Sequence, residues 1–241
     1  MFKFKIKKSI SLFLLSCLLP SCVFAENLKF TSFGHSSFLI KAGGQSILLN
    51  PFKAIGCASN LKETNNIKSD LILASSRLSD EGYNPSNKLM FVDPGVYKFK
   101  ETIINGIKIP HDRFNGRRFG MSTVWAWKQN NLKIVHMGGA AGDITLTDEI
   151  ILSRPDILFI SIGGGKKGYD GLEAAEIVKK LKPNIIIPVH FKKNKKNQEY
   201  CDFSNADLFL KNVSGYKIKS VGKNFQINKK KSKNKLIYIV N

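Results

Sequence analysis

Short apolar stretches bounded by turn residues fill the first half of the chain, a pattern typical of β-strands. Three residue pairs mark hairpin turns: Gly43-Gly44, Asn105-Gly106 and Asn130-Asn131. The second pair, which lies in the middle of the stretch 102–109, is the strongest of these signals. Strands are predicted at 27–33, 37–41, 46–49, 71–74, 102–109, 122–127 and 132–135.

The second half of the chain alternates between strand and helix patterns. A helix is predicted at 145–152 with Thr145 as its N-cap, and helical apolar spacing predicts another at 171–181 that ends before Pro183. A third helix is predicted at 204–210. Strands are predicted at 156–162, 185–189, 216–219 and 236–240. This order favours an α/β fold in which two sheets pack face to face with helices outside.

The first 25 residues have the pattern of a secretory signal peptide. Four lysines precede an apolar run at 10–19, and Val23-Phe24-Ala25 resembles a cleavage site. We therefore expect export to a periplasm or an equivalent lumen. An alternative is lipoprotein processing before Cys22, which would anchor the protein to a membrane surface. The mature chain is expected to form one domain at 26–228 and a basic segment with a closing strand at 229–241.

The chain is strongly basic, and removing the four leader lysines from the net charge of +20 leaves +16. Lysines are concentrated at 192–196 and 229–235, which would suit a nucleic acid or an anionic membrane surface. However, no nucleic-acid motif is present, and no aromatic residue interleaves with the second run. The charge therefore does not predict a nucleic-acid partner, and membrane contact is expected only with a lipid anchor at Cys22.

Two cysteines, Cys57 and Cys201, remain after the leader. In an oxidising compartment they could form a disulfide bond or remain as free thiols. The sequence alone leaves both open.

All four histidines, His35, His111, His136 and His190, follow apolar stretches. Sites in layered α/β proteins collect at strand ends, where loops supply polar groups. The four histidines are therefore expected to converge on one site.

Six segments of the chain match motifs of a known family. They are GHSSFLI at 34–40, LLNPF at 48–52, GIKIPHD at 106–112, IVHMGG at 134–139, DILFISIGGG at 156–165 and EAAEIVKKLKPNIIIPVHF at 173–191. Over residues 28–192 the chain resembles the metallo-β-lactamase fold superfamily, in its branch of small Zn-dependent hydrolases similar to L-ascorbate-6-phosphate lactonase. The resemblance implies an αββα four-layer sandwich and a hydrolytic function.

The metal-binding motif of that family is degenerate in this chain. The family pattern THxHxDH, laid on SSRLSDE at 75–81, puts its three histidines on Ser76, Leu78 and Glu81 and keeps only its aspartate, Asp80. The bridging aspartate of the HxGD motif falls on Gly139. Leucine and glycine have no donor side chain, so a binuclear zinc centre is not expected.

The resemblance leaves one reduced ligand set, Asp80, Glu81 and His190. This set could hold a single divalent ion, and its carboxylate oxygens would favour Mn²⁺ or Mg²⁺ over Zn²⁺ relative to an all-histidine set. Asp80, His111 and His190 are the expected catalytic residues, with Asp80 as the base that activates water. The expected substrate-binding residues are His35, Arg77, His136 and Arg117.

Two function classes follow from these observations. The first is an exported hydrolase with a residual one-metal or metal-free site, acting on a small anionic lactone, ester or phosphoester. Arg77 would then replace metal charge by pairing with Asp80 or with the substrate anion, unless it is a solvated loop residue. The second is a non-catalytic ligand-binding protein that has lost the metal centre.

The resemblance also carries two structural expectations. Leu78 should point into apolar surroundings where the family has a metal-binding histidine. The loops that carry Cys57 and Cys201 should both emerge near the site, which favours a disulfide bond. The rivals to this bond are two free thiols or one thiol acting as a metal ligand.

Overall fold

The computed structural model describes residues 27–64, 66–193 and 201–241. The strands are β1 Leu28–Gly34, β2 Ser37–Ala42, β3 Gln45–Leu49, β4 Leu71–Leu73, β5 Met90–Phe91, β6 Gly95–Phe99, β7 Thr102–Pro110, β8 Met121–Gln129, β9 Leu132–His136, β10 Ile157–Ser161, β11 Ile185–Val189, β12 Lys217–Val221, β13 Asn224–Ile227 and β14 Leu236–Val240. The α-helices are α1 Leu146–Leu152, α2 Gly171–Leu181 and α3 Asp207–Asn212, with short 3-10 helices at Gly56–Ala58 and Lys231–Lys233. The predicted leader, 1–25, lies outside the described residues.

The strands form two mixed sheets. The first has the order β13-β1-β2-β3-β4-β5, and the second has the order β12-β14-β11-β10-β9-β8-β7-β6. In the second sheet, the strands from β12 to β9 pair in parallel, whereas β9, β8, β7 and β6 pair as antiparallel hairpins. The change of pairing follows the sequence, because hairpin-rich strands come first and strand–helix alternation comes later.

The main core fills the space between the sheets. Phe30, Phe38 and Ile40 of the first sheet are buried in one cluster with Trp125 and Phe159 of the second. A second cluster joins the outer face of the second sheet to the helices, with Ala174 and Val178 of α2 packed among sheet residues. Helix α2 forms where predicted because Asp170 and Glu173 make a capping box at its start.

The outer face of the first sheet is covered differently from the expectation. Its buried cluster of Leu39, Leu48 and Ile72 packs with Ile67, which lies in the loop before β4. Within the described residues, no α-helix contributes to this cluster. The face-to-face α/β sandwich is confirmed, with its outer layer on this side built from loop residues. None of the helices in the described ranges is both long and apolar enough to span a membrane.

The hairpin expected at Asn105-Gly106 is wrong. These residues lie inside β7, a continuous strand that pairs with β6 on one side and β8 on the other. A Cβ added at Gly106 would lie 2.7 Å from the ring of Trp125, so the glycine makes room for that ring. Packing between strands therefore overrides the local turn preference, and the chain turns at Lys100 instead, with φ of 51°.

Two further differences from the expectations lie near the end of the chain. The third helix begins at Asp207 rather than at Ser204, because the backbone of Ser204 bonds to Gly163 and Lys192. The closing strand of the 229–241 segment, β14, lies between β11 and β12 inside the second sheet. Strands β5, β6 and β13 were not predicted, and each is short and at least partly exposed.

We predict that Gly106→Ala lowers the free energy of unfolding by about 1–3 kcal/mol, because the new methyl group overpacks against Trp125. Urea denaturation of the mature chain would measure the loss. Gly222→Ala is the matched control, since an added Cβ there meets nothing within 4 Å. Equal stability of the two variants would contradict the packing role of Gly106.

Candidate functional site

The four histidines reach one end of the sandwich because the strands before them point the same way. β9, β10 and β11 are parallel, and β7 shares their direction because two antiparallel pairings separate it from β9. In the first sheet, β1, β3 and β4 are likewise aligned with one another. The carboxyl ends of these strands deliver His35, His111, His136, His190 and the 75–81 loop to one place.

Glu81 and His111 form a buried pair at the centre of this end. The two side chains are 1% and 0% exposed, and His111 Nε2 lies 3.2–3.3 Å from the carboxylate oxygens. The hydroxyls of Ser75 and Ser76 donate to Glu81 Oε2 at 2.8 and 3.1 Å. Because a carboxylate only accepts hydrogen bonds, His111 Nε2 must carry a proton. This carboxylate therefore accepts hydrogen bonds from three protein groups.

The charge state of Glu81 follows from these neighbours. Burial acts to raise its pKa, but the interaction with His111 and the positive charge of Lys167 oppose this effect and hold the pKa well below its usual range. Glu81 is therefore an ionised, internally paired carboxylate rather than a free base.

Gly139 is the position where the family pattern would place its bridging aspartate. A Cβ added there would lie 2.0 Å from His111 Nε2 and 2.5 Å from Glu81 Oε1. The Glu81–His111 pair thus occupies the space that a side chain at position 139 would need.

Asp80 does not meet His111 or His190 as expected, but forms an ion pair with Lys167. The two side chains are only 23% and 20% exposed. Lys167 follows the glycine turn 163–165, whose motif match carried no prediction of a lysine. Arg77 was expected to provide the positive charge beside Asp80, but Lys167 provides it instead.

His35 and His190 form a pair of adjacent imidazoles. Their ring centroids lie 4.1 Å apart, and Phe203 packs against both rings. Both residues have left-handed backbones, with φ of 53° and 50°, and the His190 N–H donates to the His35 carbonyl at 3.2 Å. Each ring has a buried Nε2 with no hydrogen-bond partner among the described residues.

Both imidazoles are neutral near pH 7. Burial lowers the pKa of His35 to about 4, although the carboxylates of Asp80 and Glu81 act in the opposite direction. Burial also lowers the pKa of His190 well below its usual value, and His35 adds to that effect. A neutral imidazole offers one lone pair and one N–H, so the pair can both accept and donate a proton.

A cavity of about 320 Å³ opens beside these two rings. Its wall includes His35, His190, Phe38, Phe203, Asn60 and Lys193. The cavity therefore combines apolar surface, two neutral imidazoles and one lysine, a composition typical of small-molecule sites.

A disulfide bond between Cys57 and Cys201 closes one side of this cavity, with the two Cα atoms 4.6 Å apart. Next to it, Asp202 accepts a hydrogen bond from the Lys166 N–H at 2.9 Å. The bond therefore ties together the loop after β3, the ring of Phe203 and the turn that carries Lys167.

Three expected site residues are placed elsewhere. Arg77 is exposed and pairs with Asp93 at 2.8 Å, because its side chain leaves the loop on the solvent side. Arg117 is exposed on the loop after β7 and does not line the cavity. His136 is fully buried with its Nε2 3.3 Å from the Ser36 carbonyl, so it is a core residue rather than a substrate contact.

Leu78 does not fill an apolar site as expected. It is partly buried, and within the described residues it belongs to none of the three apolar clusters. Its carbonyl accepts the backbone N–H groups of Glu81 and Gly82 at 3.0 and 2.8 Å. The position thus contributes a turn that orients Glu81 instead of a buried side chain.

Several polar residues of the site were not predicted. Asn50, where the family motif has aspartate, bonds to Ser36 and to both the hydroxyl and the N–H of Ser75. It thereby positions one of the two serines that bond to Glu81. Asn50 was noted in the sequence as a departure from the family motif, but its partners, Ser36 and Ser75, come from two other strand ends.

The donors at this end do not fit a metal ion. The expected ligands Asp80 and Glu81 are each paired with another protein group, and an ammonium group lies at Asp80. No three histidine, cysteine or acidic side chains in the described ranges are arranged to hold a metal. The disulfide also removes both thiols as ligands. The expectation of an Asp80, Glu81 and His190 metal site is therefore not supported by the arrangement of these residues.

The burial of His136 predicts that the protein loses stability in mild acid. Burial lowers its pKa to about 4, so between pH 6.5 and 4 the unfolded chain binds a proton that the folded chain does not, and stability falls as pH falls. This residue alone should cost about 1.5–2 kcal/mol between pH 6.5 and 5. Urea titrations of wild type and His136→Asn would show it as a shallower pH dependence in the variant. The same slope in both proteins would contradict the assignment.

The Cys57–Cys201 bond predicts no free thiols in the unfolded, unreduced mature protein and two after reduction. The bond closes a long loop, so its loss in Cys57→Ser should lower stability by up to about 4–5 kcal/mol in the chain-entropy model. Two thiols per chain before reduction would rule the bond out.

Known structures share this fold. A crystal structure of a candidate Zn-dependent hydrolase of the metallo-β-lactamase superfamily from Thermotoga maritima aligns with a TM-score of 0.69 and 23% identity, covering 88% of this chain and 98% of that one. A candidate metal-dependent hydrolase from Parabacteroides distasonis aligns with a TM-score of 0.56 and 15% identity over 70% of this chain and 84% of its own. The isothiocyanate hydrolase from Delia radicum gut bacteria aligns with a TM-score of 0.58 and 12% identity, covering 87% of this chain and 95% of its own. At these identities the likeness shows the fold alone.

The family assignment comes from the sequence itself. No curated protein matches the chain. Residues 29–190, about two thirds of its length, match the family model described as a beta-lactamase superfamily domain. This range contains all four histidines, the 75–81 loop and the glycine turn. The chain therefore belongs to the beta-lactamase superfamily and has the metallo-β-lactamase fold.

Proposed function

We propose that the protein is an exported hydrolase of a small anionic lactone, ester or phosphoester, and that it works without a bound metal. The observation that carries this proposal is the pair of neutral imidazoles, His35 and His190, which line the cavity and each have a buried Nε2 with no hydrogen-bond partner among the described residues. The lactone class rests on the resemblance to the lactonase branch. Export is supported by the leader pattern and by the disulfide bond, since such bonds persist in oxidising compartments.

The two imidazoles have different environments and suit different roles. His35 is acted on by the carboxylates of Asp80 and Glu81, which favour its protonated form, so it is the better base towards a water molecule. His190 is more deeply buried and stays neutral. Its N–H can then donate to the substrate oxygen on which negative charge develops.

The remaining polar groups bind the substrate or hold the site in place. Lys193 lines the cavity and can meet the anionic group of the substrate, the role first expected of Arg77 and Arg117. Phe203 and Phe38 give the cavity apolar walls beside the imidazoles. Asp80 and His111 were first expected to be catalytic, but Asp80 is held in an ion pair with Lys167 and His111 is hydrogen-bonded to Glu81.

A non-catalytic binding protein on the same fold is the second candidate. It is favoured by the pairing of both carboxylates, because Glu81 with His111 and Asp80 with Lys167 leaves neither one free as a base. The cavity would then bind the same class of anion without turnover.

Turnover of a panel of lactones, carboxylic esters and phosphoesters by the mature protein would separate the candidates. With EDTA present, we expect hydrolysis to persist in the wild type and to fall by about 10²–10⁴-fold in His35→Ala, the usual contribution of a general base. His136→Asn is the matched control and should keep its rate at pH 7.5, because His136 does not line the cavity.

Two outcomes would contradict the hydrolase. Activity abolished by EDTA and restored by a divalent ion would overturn the metal-free site. Saturable binding of an anion in calorimetry, with no turnover on any member of the panel, would support the binding protein instead.

A further inference from the structure

We infer that the loop between β7 and β8, residues 111–120, is a docking surface for an anionic phospholipid membrane and needs no lipid anchor for that contact. The loop carries an exposed phenylalanine, Phe114, close to two exposed arginines, Arg117 and Arg118. This surface does not line the cavity, so the inference holds whether or not the protein catalyses hydrolysis.

One buried carboxylate fixes the shape of the loop. Asp112 is 0% exposed, and its oxygens accept four backbone N–H groups at 2.8–3.1 Å, those of Phe114, Gly116, Arg118 and Phe119. Because these bonds come from the backbone, the conformation of the loop does not depend on the side chains that it displays. The exposed side chains can therefore be replaced without removing the bonds that hold the loop.

The tip of the loop presents apolar surface to solvent. Phe114 is 62% exposed, and among the described residues its ring makes no aromatic contact. Met121, at the start of β8, is 36% exposed and lies next to Gly116, where an added Cβ would meet its sulfur at 2.8 Å. Exposed phenylalanine side chains of this kind are buried when they enter the boundary between lipid headgroups and acyl chains.

The charges beside this ring are positive and are not neutralised by the protein. Within the described residues, the guanidinium groups of Arg117 and Arg118 form no ion pair. The group of Arg118 lies 5.4 Å from the centroid of the Phe119 ring, a contact that leaves its charge in place. Both arginines can therefore meet the phosphates of an anionic bilayer.

The turn next to the loop adds to the positive surface. Arg113 donates to the Gly165 carbonyl at 3.1 Å, so the turn that carries the exposed Lys166 lies beside the base of the loop. The carboxylate of Glu173 is bound by Arg113 at 2.6–2.7 Å, and that of Asp112 is bound by the loop backbone. The side chains left facing solvent on the loop and this turn thus carry positive charge.

This combination favours a membrane over a nucleic acid. A bilayer attracts the cations through its phosphates and accepts the ring in its apolar interior. Nucleic-acid surfaces instead place a helix or a sheet in a groove, or stack bases on several aromatic side chains. This loop offers one protruding ring, and the sequence contains no nucleic-acid motif.

The test measures co-sedimentation of the mature chain with lipid vesicles, using protein produced without its leader so that no lipid is attached. One set of vesicles contains phosphatidylcholine alone, and the other contains an equal amount of phosphatidylglycerol. The loop variants are Phe114→Ser and the double variant Arg117→Ser/Arg118→Ser. Phe114→Trp is made in parallel, and a blue shift of its emission on adding vesicles would report entry of this position into the bilayer.

The matched controls lie on β12, at the far edge of the second sheet from β7. Ile218→Ser removes an apolar side chain that is 59% exposed, close to the exposure of Phe114. Lys217→Ser/Lys219→Ser removes the same charge as the double arginine variant, also from exposed positions. Circular dichroism shows which variants are folded.

We expect wild type to bind the vesicles with phosphatidylglycerol, to ignore those without it, and to bind more weakly as salt rises. The double arginine variant should bind about 10–30-fold more weakly, since each arginine near an anionic surface changes affinity by about five-fold. Phe114→Ser should lose about 5–10-fold, because its ring no longer leaves water. Both β12 controls should bind as tightly as wild type, and Phe114→Trp should show the blue shift.

Three results would overturn the inference. The first is wild-type protein that does not sediment with the anionic vesicles. The second is an equal loss of binding in the loop variants and the β12 controls, which would reduce the effect to net charge. The third is a DNA duplex that binds more tightly than the vesicles and is weakened by the arginine variant but not by Phe114→Ser. None of these readouts involves turnover, so this test and that of the hydrolase proposal can fail separately.

Discussion

The buried contact between Glu81 and His111 is the constraint on which the rest of the site depends. It places a carboxylate and an imidazole in the interior, where each needs a partner, and it leaves no space for a side chain at Gly139. Ser75 and Ser76 complete the hydrogen bonds of the carboxylate.

The ion pair between Asp80 and Lys167 follows from the need for charge balance. Glu81 is paired with His111, but Asp80 still carries a negative charge at a mostly buried position. Lys167, which follows the glycine turn, supplies the positive charge that balances it. Neither pair lines the cavity, whose polar lining includes His35, His190, Asn60 and Lys193. The superfamily fold is thus present, and the cavity at its strand ends is lined by two neutral imidazoles.

Much of the fold could be predicted from the sequence because local and tertiary preferences agree. The range of α2 was predicted in full, since its apolar spacing and the approaching Pro183 both act locally. The Asn105-Gly106 turn failed because Trp125, distant in sequence, needs the space that Gly106 leaves. Short exposed strands such as β13 carry little apolar pattern, so they were missed.

The site was less predictable than the fold. The four histidines could be found because each follows an apolar stretch. Lys167 could not, because one lysine among many carries no local signal until the fold brings it to Asp80. The prediction that Arg77 binds the substrate or Asp80 was wrong for the same reason, because its partner Asp93 lies on the solvent side of the loop. Sequence patterns identified the strand ends, whereas the charge pairs could be assigned only from the folded structure.

The central claim is that Asp80 and Glu81 are paired with protein groups and do not bind a metal ion, and a crystal structure of the wild-type protein grown with ZnCl₂ tests it most directly. The account predicts density for Lys167 Nζ against Asp80, a direct Glu81–His111 contact, and no anomalous zinc peak within ligand distance of His190. A zinc peak bound by Glu81 and His190, with Lys167 displaced from Asp80, would contradict it.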